Sequence, residues 1–101
     1  RLIDDLKDFN ILILRNHGLL TVGKTVSEAF MWMYRAERAC RFQLSFQQAG
    51  AEAQQIPGPV QKISIERSKK AISSSGHRPI GEFEWPALLR KLNRQNPGFD
   101  H

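Results

Sequence analysis

The sequence predicts an α/β fold, and three observations carry that prediction. Ile11–Leu14 and residues 19–22 are two short apolar runs separated by a polar corner, Arg15-Asn16-His17-Gly18. A helix-start signature at Thr25-Val26-Ser27-Glu28 then opens a long helical pattern reaching about Gly50. Two shorter helices follow, one after the proline-containing break at residues 56–59 and one opened by Glu84-Trp85-Pro86-Ala87. At 101 residues the chain holds one domain at most.

The elements follow in order. Leu2, Ile3, Leu6 and Phe9 recur at helical spacing, so residues 1–8 read as the end of a helix that Asn10 breaks. Ile11-Leu12-Ile13-Leu14 is a continuous apolar run, the pattern of a strand buried on both faces. Leu19-Leu20-Thr21-Val22 is a second strand that stops at Gly23. In the helix start, Thr25 is expected to accept from the amide of Glu28, whose carboxylate returns to the amide of Thr25.

The long helix carries a main stripe of Val26, Phe30, Met33, Glu37, Cys40 and Leu44, spaced by fours and threes. A second apolar set, Met31, Trp32, Ala39, Phe42 and Phe46, falls on another side. Two apolar sides require two partners: the sheet, and either a further helix or a neighbouring subunit. Ile56-Pro57-Gly58-Pro59 begins a new segment, and residues 60–73 read as a helix with Ile63, Arg67 and Lys70 along one side. Ser73-Ser74-Ser75-Gly76 reads as loop. Residues 76–101 form a closing loop and short helix, with Pro86 in the helix's first turn and Asn96-Pro97-Gly98 ending it.

Composition excludes several classes. With 41% hydrophobic and 25% charged residues the chain is neither disordered nor of low complexity. Cys40 is the single cysteine, which rules out an internal disulfide and suits a reducing cytoplasm, the expected location. No apolar run approaches the roughly 20 residues that span a bilayer, so no membrane partner is expected. The chain starts Arg-Leu-Ile-Asp-Asp-Leu without Met or a signal-peptide pattern, as expected for a piece of a longer protein. Residues 1–30 balance four basic against four acidic groups, whereas residues 31–101 hold eleven basic and six acidic and so carry the whole +5. These basic residues are dispersed, the pattern of a solvated helix surface rather than of a nucleic-acid binder.

Gly18-Leu19-Leu20-Thr21-Val22-Gly23-Lys24-Thr25 matches the phosphate-loop pattern G-x-x-x-x-G-K-[ST] letter for letter. Chemistry argues against it. Leu, Leu, Thr and Val between the glycines are strand formers, Arg15-Asn16-His17 separates the strand from the first glycine, and no later apolar run ends in an acid that would hold magnesium. Nucleotide binding through Gly18–Thr25 is therefore the remote alternative.

His17 sits between the two strands, directly before a glycine that permits a tight turn. Such a corner offers a ring nitrogen to a metal or substrate, although a lone histidine at a strand end is more often simply solvated. His77 and His101 are no evident partners for it, being in loop and at the terminus. Glu37 pairs with Arg41 at helical spacing and reads as structural; Cys40, with no adjacent His or Lys, reads as packing.

Residues 11–23, with Thr25-Val26, Glu28-Ala29-Phe30 and Glu37-Arg38-Ala39-Cys40, resemble the C-terminal part of the class II aldolase/adducin family. The resemblance is most specific at Leu14-Arg15-Asn16-His17-Gly18-Leu19. Ile80-Gly81-Glu82-Phe83-Glu84-Trp85 and Ala87-Leu88-Leu89-Arg90-Lys91-Leu92 are similar to the closing segment of its adducin-like branch. The resemblance implies that residues 1–101 are the C-terminal part of one domain, a portion of a three-layer α/β/α sandwich assembled as a homo-oligomer, in the family a tetramer with sites between subunits.

The implied activity is that of a metal-dependent aldolase or epimerase acting on sugar phosphates or related small hydroxy-carbonyl compounds. His17 would be one of three ligands of a divalent cation, zinc in the first instance, that stabilises an enediolate. The two other histidines and the acid–base residue would lie outside this chain, so no catalytic residue is expected within it. The second function that the resemblance allows is an adducin-like scaffold with the fold and no catalysis.

Overall fold

The computed structural model describes residues 2–72 and 79–100. The elements in order are α1 (Leu2–Leu6), β1 (Ile11–Leu14), β2 (Gly18–Thr21), α2 (Val26–Ala49), α3 (Gly58–Ile72) and α4 (Glu84–Gln95). The loop expected at residues 73–76 lies outside the described residues, as do His77 and His101.

The strands form an antiparallel hairpin in which Ile11 faces Thr21 and Leu14 faces Gly18. Asn10, expected only to end the preceding helix, also closes the far end of this ladder. Its carbonyl accepts from the Val22 amide at 2.9 Å, and its Nδ2 donates to the Val22 carbonyl at 3.0 Å. The second strand therefore begins at Gly18 and ends at Thr21, with Val22 bonded beyond it.

The helix α2 lies across the hairpin, tied to it where Thr21 Oγ1 donates to the Ala29 carbonyl at 2.8 Å. Its N-cap is Thr25, whose side chain accepts from the Glu28 amide at 3.1 Å. The return half of the capping box is displaced by one residue: the Glu28 carboxylate accepts from Lys24 at 2.6 Å, not from Thr25. Thr25 itself is extended, with φ −133° and ψ 161°. Gly50 closes the helix in the left-handed region, φ 67°, its amide bonded to the Gln47 carbonyl.

Two burial expectations are corrected. The strand β1 is not buried on both faces, because α2 covers one face and Ile13 on the other is 72% exposed. Nor is the stripe Val26–Phe30–Met33–Glu37–Cys40–Leu44 the core face. Among the described side chains the buried hydrophobic residues are Met31 and Ala36, while Val26, Cys40 and Leu44 are exposed. Strands of four residues are about 13 Å long and cover only the first turns of a 24-residue helix about 36 Å long. Register over that short contact, not the longest periodic stripe, selects the buried residues.

Besides the sheet, α2 meets α4. Phe30 and Trp85 meet edge to face with ring centroids 5.4 Å apart. Gly81 seats the segment before α4 against the start of α2. It is buried with φ 92°, and a Cβ there would stand 2.8 Å from the backbone of Ser27. The other helix, α3, starts two residues earlier than the pattern indicated, and the described side chains of residues 59–71 are all exposed. Of the three helices that follow the strands, α2 packs on the hairpin, α4 meets α2 through the Phe30–Trp85 pair, and the described side chains of α3 from residue 59 on are exposed.

Candidate functional site

His17 ends the three-residue turn, residues 15–17, that joins β1 to β2. The turn requires two unusual backbone conformations. Asn16 has φ 62°, tolerable because a short amide side chain suits the left-handed region, and Gly18 has φ 127°. A Cβ on Gly18 would meet nothing within 4 Å, so conformation rather than space demands glycine there. The amide of His17 donates to the Leu14 carbonyl at 3.2 Å, which anchors the residue to the strand end.

The imidazole is exposed, with Nδ1 3.3 Å from the Arg15 carbonyl oxygen. In the tautomer with the proton on Nδ1, that nitrogen donates to the carbonyl and the lone pair of Nε2 is left facing outward. A backbone carbonyl on one ring nitrogen and a free lone pair on the other is the usual arrangement of a metal-ligating histidine. Among the described residues no three His, Cys, Asp or Glu side chains gather as a metal cluster, so His17 brings one donor.

The remaining candidates separate clearly. Gly18–Thr21 is a paired strand, so the first half of the phosphate-loop pattern is not a loop at all. Of the other residues of that pattern, the Lys24 amide is held by Glu28 and the Thr25 hydroxyl caps α2. Glu37 carries the expected ion pair with Arg41 on the helix surface. Cys40 is exposed, which corrects its reading as packing. A cleft of about 620 Å³ opens at the hairpin end away from His17, between Phe9, Val22 and Ile80. Its charges, Lys7, Lys24, Asp8 and Glu28, sum to zero and select no ligand class.

Sequence reasoning missed two features. Gly81 as a close-approach glycine had no signal beyond its place before an apolar helix. The buried indole Nε1 of Trp32, which has no hydrogen-bond partner among the described residues, had none.

The family model described as Class II Aldolase and Adducin N-terminal domain matches residues 1–44, a range that includes the His17 turn. Similarity continues past it. A provisionally named aldolase class 2 protein of Pseudomonas aeruginosa is 42% identical over 105 aligned residues, covering 98% of this chain and 38% of that protein. The chain belongs to the class II aldolase and adducin family. Alpha-adducin of Rattus norvegicus is 38% identical over 90 residues, covering 82% of the chain and 12% of that protein.

A crystal structure of an aldolase II superfamily protein from Pseudomonas syringae superposes with a TM-score of 0.78 at 38% identity, over 95% of this chain and 37% of that one. The hairpin with its helices is thus part of the α/β fold of the class II aldolase and adducin family. The chain spans well under half the length of these relatives. Among its described residues no helix is long and apolar enough to cross a membrane.

Proposed function

We propose that this chain is the C-terminal part of one metal-dependent aldolase-like domain, in which His17 supplies one of three ligands to a divalent cation. The observation that carries the reading is the His17 turn. An exposed imidazole is oriented by a backbone carbonyl 3.3 Å from Nδ1 and set on a turn that Asn16 and Gly18 shape. The family supports the same reading, since one relative carries the class 2 aldolase name over 98% of the chain.

In this reading His17 binds through Nε2, and the other ligands and the acid–base group come from sequence outside residues 1–101. A bound divalent cation, zinc in the first instance, supplies Lewis-acid polarisation of a carbonyl and a neighbouring hydroxyl oxygen. What this chain contributes is positioning. The Arg15 carbonyl fixes the ring, Asn16 and Gly18 fix the turn, and the Asn10–Val22 clasp holds the hairpin in register. The substrate class is a small hydroxy-carbonyl compound such as a sugar phosphate, cleaved or epimerised next to the carbonyl, in a homo-oligomer.

The test is metal content and carbon–carbon cleavage of the full-length protein beside His17→Ala. About one divalent ion per subunit that is lost in the variant, together with turnover, supports the reading. Equal metal content in both proteins overturns it.

A second reading rests on a specific observation. Similarity to alpha-adducin also spans 82% of the chain. A scaffold with this fold binds no stoichiometric metal and is unchanged by His17→Ala, so the same measurement separates the two.

A further inference from the structure

We draw no further inference here: the strongest candidate, the pocket of about 250 Å³ that Asp8, Phe9, Asn10 and Ile11 form with Trp32, whose buried indole Nε1 has no hydrogen-bond partner among the described residues, carries nothing because the chain spans well under half of its relatives and nothing in the structure shows what covers that face.

Discussion

Trp85 stands edge-on to Phe30, with ring centroids 5.4 Å apart and planes at 65°. This pair joins the last helix to α2, and the apolar residues that follow it on α4, Leu88, Leu89 and Leu92, remain between 36% and 38% exposed. Trp85→Ala is therefore expected to release α4 while leaving the hairpin and α2 in place. The loss should be about 1–2 kcal/mol, an aromatic pair plus partial burial. Amide hydrogen exchange is the measurement: protection of residues 88–95 should fall, with that of residues 11–21 unchanged.

Gly81 gives a sharper prediction because two costs coincide there. Its φ of 92° disfavours any side chain, and a Cβ would stand 2.8 Å from the Ser27 carbonyl carbon and oxygen, atoms of a helix start that cannot yield. Gly81→Ala should cost about 1–3 kcal/mol for backbone strain, and the collision adds to it. Gly50→Ala is the control. Its φ of 67° is also unfavourable, but a Cβ there meets nothing within 4 Å, so about 1 kcal/mol is expected. Urea melts of the two variants compare them directly; equal losses would show that the Ser27 contact does not matter.

The start of α2 depends on a reciprocal pair in which the Glu28 amide donates to Thr25 Oγ1 and the Glu28 carboxylate accepts from the Lys24 amide. Thr25→Ala should cost about 1 kcal/mol through the lost cap. Thr25→Ser should restore most of it, since the hydroxyl is retained. Chemical denaturation monitored at a helix wavelength distinguishes the two.

Asn16 is predicted to matter for the turn and not for the core. With φ at 62° and an exposed side chain, Asn16→Val places a β-branched residue in the left-handed region at a cost of about 1–2 kcal/mol. Asn16→Gly should be nearly neutral in stability. If His17 ligates a cation in the full-length protein, metal affinity measured by competition with a chelator should fall in Asn16→Val and persist in Asn16→Gly.

Glu37 and Arg41 form an exposed pair, so Glu37→Gln should change stability by less than about 0.5 kcal/mol. A larger loss in thermal melts would mean that the pair supports more than the helix surface.

Local chemistry made much of this molecule readable from its residues in order. Apolar runs around a polar corner specified the hairpin, because strand pairing across a three-residue turn is a local event. Thr25 and Gly50 marked both ends of α2, because caps satisfy backbone groups within one turn. Pro86 and Asn96 bracketed α4 for the same reason. The Arg15-Asn16-His17-Gly18 turn was legible both as a corner and as the most specific point of family likeness.

Tertiary structure alone decided which faces are covered. The sequence offered α2 a long stripe through Phe30 and Leu44, yet the hairpin is too short to meet it, and Met31 and Ala36 became the buried residues instead. Whether Gly23 began a helix junction or ended a phosphate loop depended on pairing of Leu19 with Ile13, a contact between strands. Gly81 looked like any loop glycine until Ser27 was brought beside it. Elements are set by contacts between near neighbours in sequence, whereas burial and close approach are set by which distant residues share a surface.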